Sequence, residues 1–153
     1  MNYVRRVLQP GETVIHATRM HSVIFLPAIL WFVTATVLLI AALTLDGDLR
    51  RGGLALAVFA AIFGFVSGVP ALIRRMTTEL AVTDRRIIYK SGVLSRHTLE
   101  MNRSKVESVD VDQSVLGRVL NFGTIIVRGT GGSLEPIRMI GDPLTFRSHI
   151  TAG

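Results

Sequence analysis

The chain contains no cysteine, which excludes disulfides, thiolate zinc sites and thiol catalysis. Histidine is sparse, with four in 153 residues. His16 and His21 stand near each other, but no third ligand is close in sequence and neither lies in an apolar run, so no metal or haem site is expected. His97 and His149 are isolated. No nucleophile, base and orienter fall together, so no catalytic residue and no cofactor are expected. The most informative absence is charge: Ser22–Leu45 and Gly53–Ile73 hold no Asp, Glu, Lys or Arg.

These two runs organise the chain. Their 24 and 21 residues make helices of about 36 and about 32 Å, against a hydrocarbon core of about 30 Å. Only Asp46–Gly52 separates them, so they read as an antiparallel hairpin of two transmembrane helices. A pair of buried helices in a soluble protein is the competing reading, and the remaining chain is too short to wrap both. The first run is longer than a leader's apolar segment and a second follows at once, so it reads as a retained anchor. Pro27 falls in its opening turns, where a missing N–H does little harm. Trp31 lies deep enough to face the partner helix or another protein. In the second run Ala60, Gly64 and Gly68 recur every four residues, an extended GxxxG stripe expected to pack against a helix.

The formal net charge is +6 and the isoelectric point about 11.0. A basic chain invites a nucleic-acid reading, but the cations crowd around the ends of the apolar runs, so no nucleic-acid partner is expected. Arg5, Arg6, Arg19, Arg74, Arg75, Arg85, Arg86 and Lys90 lie outside the hairpin, whereas its loop holds Arg50 and Arg51. Eight against two predicts both termini in the cytoplasm.

Residues 1–21 read as a cytoplasmic pre-membrane segment, with a Pro10-Gly11 turn and a brief strand over Thr13–Thr18. From Met76 onward period-two alternation predicts antiparallel strands at Thr78–Val82, Arg86–Lys90, Val93–Met101, Glu107–Asp112, Thr124–Arg128 and Leu134–Ile140. Val115, Leu116, Val119 and Leu120 have the spacing of a short helix within Ser114–Leu120. Gly129–Gly132 reads as a hairpin and not a phosphate loop, because no helix follows it. Pro136 puts its strand at a sheet edge. Asp142-Pro143 opens a short C-terminal helix.

TDRRIIY with KSG (Thr83–Gly92), KVESV (Lys105–Val109), LGRVLNFGT (Leu116–Thr124), GTGG (Gly129–Gly132) and the DP-L-F ending (Asp142 to Phe146) together resemble the membrane-anchored bacterial pleckstrin-homology domain family. The resemblance covers about residues 76–150 and implies a small mainly-β pleckstrin-homology-like barrel closed by a short C-terminal helix. It extends to the preceding hairpin at 22–73, a common arrangement in that family. It implies no chemistry, and points to roles in assembly and oligomerisation. Phosphoinositide-binding relatives outside bacteria use a basic first hairpin; here Thr83-Asp84-Arg85-Arg86 offers half of such a cradle.

Glu107, Asp110 and Asp112 read as a solvated strand face. Arg74, Arg75, Arg85 and Arg86 form the candidate site, a polybasic contact with anionic headgroups. The function expected is an inner-membrane, non-enzymatic scaffold whose domain binds a protein partner or its own copies. An anionic-lipid-responsive module is the alternative. Self-association is expected through the Leu134–Ile140 edge and apolar surface near Val119, Leu120 and Phe122.

Overall fold

A computed structural model describes residues 2–92, 97–130, 132–133 and 136–151. The chain divides into two compact units, Ser22–Ile73 and a second assembled from Met1–His21 with Arg74–Gly153.

The first unit is two helices. A 3-10 turn at Ser22–Phe25 leads into α2 (Leu26–Leu43), and α3 runs from Gly47 to Thr77. (Helix α1 and strand β1, described below, precede them.) Both are long and apolar enough to cross a membrane. The expected loop at Asp46–Gly52 is mostly helix: Asp48 sits in the first turn of α3, where its charge suits the helix dipole, and accepts from Arg51 at 3.3 Å. Arg74 and Arg75 fall in the last turn, where cations are favoured.

Burial along these helices is inverted relative to a water-soluble pair. The buried residues are small: Ala28, Ala35 and Ala42 on α2, and Ala57, Ala60, Gly64 and Ala71 on α3. Spacings of seven, at 28-35-42 and 57-64-71, keep one narrow seam on each helix facing the other. Large side chains lie outside it, Phe59 at 62 % exposure and Val37 at 60 %. A Cβ on Gly64 would stand 3.0 Å from the Phe32 ring, and one on Gly68 3.2 Å from Ala28 Cβ. The small-residue stripe thus meets the first helix of the same chain. Trp31 stacks on Phe63 of α3 with centroids 5.1 Å apart.

The second unit holds two antiparallel sheets. The first is ordered β1 (Val14–Thr18), β2 (Glu79–Thr83), β3 (Arg86–Ser91), β4 (His97–Asn102). The second contains β5 (Val106–Asp112), β6 (Phe122–Gly129), β7 (Gly132–Ser133) and β8 (Ile137–Gly141), with β7 and β8 both beside β6. Helix α4 (Val115–Val119) joins β5 to β6, and α5 (Pro143–Thr151) follows β8. The predicted strand portions at 93–96 and 134–135, and Gly131 of the hairpin, lie outside the described residues.

The core between the sheets holds Leu80, Val82 and Ile87 from the first, Val109, Ile125, Val127, Ile137 and Ile140 from the second, and Phe146 and Ile150 from α5. Helix α5 packs on β1 and β2 as well as β5 and β6, so it plugs the space between the sheets. Arg103 fixes its far end: Nε donates to the Ile150 carbonyl (3.0 Å) and Nη2 to that of His149 (2.6 Å), satisfying carbonyls a helix end leaves open.

A closed barrel was expected, and the structure differs. The 3-10 turn Arg103–Lys105 carries the chain from one sheet to the other, and among the described residues no ladder joins β4 to β5. The sheets meet on the other side, through an isolated bridge between Met20 and Ile140. That bridge changes the predicted edge as well. His21 N–H donates to the Met139 carbonyl (2.6 Å) and Gly141 N–H to that of Arg19 (3.2 Å), so residues 19–21 already cover part of the Leu134–Ile140 strand.

Residues 1–21 are therefore part of the domain and not a separate segment. Strand β1 pairs with β2 from Val14↔Thr83 to Thr18↔Leu80. Ahead of it α1 (Asn2–Val7) buries Val4 on the outer face of the sheet against Ala81 and Ile88. This explains why every residue of β2 is buried where alternation predicted a half-buried strand.

The helix seam yields a first prediction. Gly64→Leu forces a branched side chain into the Phe32 ring and should cost about 1–3 kcal/mol. A lowered melting temperature of the detergent-solubilised protein is expected, and unchanged stability would show the seam to be open.

Candidate functional site

The predicted arginine cluster lies at the β2–β3 hairpin and the end of α3. Its four members are not equivalent. Arg74 is exposed and Arg75 half-buried. Arg85 projects from the hairpin, its side chain 52 % exposed, with Asp84 Oδ2 at 4.0 Å and Gln9 Oε1 at 3.5 Å. Arg86, its neighbour in sequence, turns inward and is only 12 % exposed.

The partner that takes Arg86 inward is Glu12, whose side chain is fully buried. Gln9-Pro10-Gly11-Glu12 forms a turn closed by Glu12 N–H to the Gln9 carbonyl (2.9 Å), with Gly11 at φ +78°. Proline then glycine at positive φ is the type II arrangement. The turn aims the carboxylate into the domain. Oε1 accepts from Arg86 Nε (2.9 Å) and Oε2 from Arg86 Nη2 (2.8 Å), a bidentate pair. Thr83 Oγ1 (2.7 Å) and Gln9 N–H (2.7 Å) donate to the remaining lone pairs. Arg86 also donates to the Val7 carbonyl (2.6 Å) and to Glu100 (2.5 Å). Every polar atom of the pair has a partner, the condition under which a buried ion pair is tolerated.

The electrostatics follow the geometry. The Arg86 guanidinium holds the Glu12 carboxyl at about 2, burial opposing it, with the Gln9 and Thr83 donors adding to the effect. Glu12 in turn raises Arg86. Arg86 is thereby spent on the interior and is unavailable to a headgroup, and the members of the predicted cluster that stand exposed are Arg74 and Arg85. Sequence alone could not separate Arg85 from Arg86, because the deciding acid lies 74 residues away.

A second acid secures the same segment. Glu79 Oε2 accepts from the Tyr3 and Val4 N–H groups (3.2 and 3.1 Å), satisfying open donors at the start of α1. Lys90 Nζ sits 5.5 Å from the centre of the Tyr3 ring.

The histidines are less isolated than the sequence implied. His16 of β1 stacks on His149 of α5 at 4.8 Å and meets Phe146 edge-on. Burial lowers the His16 pKa, proximity to His149 lowers it further, and Asp142 opposes. His21 stacks on Phe122 (5.4 Å), and His97 meets the Tyr89 ring edge-on. Among the described residues no three metal-binding side chains converge. Of the acids on β5, Asp110 pairs with Arg128 at 3.2 Å, both half-exposed.

A feature that alternation did not reveal is a cleft of about 440 Å³ on the open side of the two sheets. Asp84, Ser104, Glu107 and Ser108 bring polar groups to it, and Val106, Val109 and Ile150 apolar ones. Among the described residues β5, which forms one wall, pairs on one side only, with β6. The signal in the sequence was the Asn102–Lys105 break between two alternating stretches.

Acid should unlock the Glu12–Arg86 pair with a defined sign. The folded pKa of Glu12 lies below its ordinary 4.5. Its contribution is therefore complete above about pH 4.5 and is lost as pH falls toward about 2. Glu12→Ala leaves Arg86 buried without its bidentate partner, at a cost of about 3–5 kcal/mol at neutral pH, and should remove that part of the acid dependence. Denaturation of both proteins across pH 2–7 checks it.

A profile of the bacterial PH domain matches residues 17–152, which takes in β1 from Ala17, both long helices and the two-sheet unit up to its last helix. No curated protein matches the chain. With the match spanning most of the chain, and two sheets plugged by a C-terminal helix behind it, this protein belongs to the bacterial PH domain family.

Proposed function

We propose that this protein is a non-enzymatic interaction module anchored in the bacterial inner membrane by its helix pair, with both termini and the PH-like domain in the cytoplasm. There the domain binds a protein partner or a second copy in the assembly of a membrane complex. The observation that carries the reading is the inverted burial of α2 and α3, where alanine and glycine face inward and Leu, Val and Phe face outward. Side chains of that kind are matched by lipid, and close packing of small residues is what holds helices together there. The uneven distribution of Lys and Arg supports the orientation.

The cleft beside β5 supports a protein as the ligand. A strand that, among the described residues, pairs on one side only and lies next to a mixed polar and apolar groove suits an extended peptide added as a further strand. The second reading, an anionic-lipid-responsive surface, is favoured by the exposure of Arg74 and Arg85. Each such cation near the surface contributes on the order of 1 kcal/mol.

Two measurements test the proposal. A reporter fused after Gly153 should be active in the cytoplasm; periplasmic activity overturns the orientation and the lipid reading with it. The protein mass of the native complex in mild detergent should exceed the 16.7 kDa of one chain. A bare monomer at cellular concentration removes the assembly role.

A further inference from the structure

Helix α4 is packed inside out. Gly117 is its one buried residue, and its missing side chain lets the helix lie on β6: a Cβ there would stand 2.6 Å from the Phe122 carbonyl oxygen. Val115, Leu116, Val119 and Leu120 face away from the domain, 79, 65, 76 and 48 % exposed. Five residues make a helix with almost no stability of its own, yet this one is held by a polar frame. Ser114 Oγ accepts from Gly117 N–H (3.1 Å), Gln113 Nε2 donates to the Phe122 carbonyl (3.0 Å), and Asn121 ends the turn at φ +56°. The frame fixes four aliphatic side chains on the outside, where water is a poor solvent for them.

The place of this patch indicates what covers it. Phe122, two residues past Leu120, stacks on His21, whose N–H donates to the carbonyl of Met139, another exposed apolar side chain. His21 is joined directly to Ser22, where the first apolar segment starts. Phe122 and Met139 therefore lie at His21, the last residue of the domain before that segment, and α4 lies two residues from Phe122 in the chain. The single charge on α4 is Arg118, exposed beside the aliphatic residues. Aliphatic side chains around a cation with an apolar stem suit the boundary between acyl chains and anionic headgroups.

We propose that α4 is a membrane-inserting element: Val115, Leu116, Val119 and Leu120 enter the headgroup–acyl boundary of the bilayer, with Arg118 at the phosphates. This rests on the reading of the helix pair as the anchor. Insertion adds a further attachment beyond the two chain crossings.

The absence of native cysteine makes the test direct. Full-length Leu116→Cys, Val119→Cys, Phe59→Cys and Lys105→Cys variants each carry one nitroxide label in vesicles of phosphatidylethanolamine and phosphatidylglycerol. Accessibility is read with oxygen, which concentrates in lipid, and with a water-soluble nickel chelate. The ratio of oxygen to nickel accessibility at 116 and 119 should approach that at 59, on the outer face of α3, and exceed that at 105 several-fold. Labels at 116 and 119 that behave like 105, while 59 reports lipid, overturn the insertion of α4 and leave the anchor standing. A label at 59 that also reports water overturns both. Labels at 116 and 119 shielded from both reagents place a protein surface on the patch, and that too overturns insertion.

Discussion

The domain depends on a carboxylate and a guanidinium contributed by the stretches before and after the helix pair in sequence. Glu12 precedes α2 and Arg86 follows α3, yet they form one bidentate pair in the interior of a single sheet. Around it the same two stretches are joined by the β1–β2 ladder, by Glu79 at the start of α1 and by the reciprocal bonds between Thr13 and Asp84. The pair is worth less as attraction than as specification. Two desolvated charges tolerate each other in only one geometry, and that geometry requires the Gln9–Glu12 turn and the Thr83–Arg86 turn to be in register.

Much of this architecture was legible in the sequence. The two apolar runs, the β3 strand, the β5 alternation and the start of α5 at Pro143 are set by local periodicity and by proline's fit to a first helical turn, and local signals report local structure. What escaped detection depended on distant partners. Helix α1 exists because Glu79 and the Ala81–Ile88 surface receive it, and nothing in Asn2–Val7 announces either. The inward turn of Arg86 is invisible beside Arg85 without knowledge of Glu12. The alanine seam is written in the seven-residue spacing of Ala28, Ala35 and Ala42, a weaker signal than the glycine stripe because alanine is common in any apolar helix.

The two units bury opposite kinds of residue. In the helix pair alanine and glycine form the contact and the large side chains look outward. In α4 the pattern repeats on the scale of five residues, with Gly117 inside and aliphatic side chains outside. The domain core follows the opposite rule, with Phe146, Leu80 and several isoleucines fully enclosed. The change occurs within one chain, between the helix pair and the domain core.

The pairing of β1 with β2 also fixes an order of events during synthesis. Val14 cannot meet Thr83, nor Glu12 meet Arg86, until both long helices have been made. Until then the N-terminal stretch carries an acid whose counter-charge, Arg86, does not yet exist, and a strand whose partner β2 is still to come. The domain therefore cannot close ahead of the helices, and a ribosome must deliver all of them before the first sheet can form. A chain that stopped short of β2 would be left with its N-terminal strand unpaired, an exposed edge open to pairing with another chain.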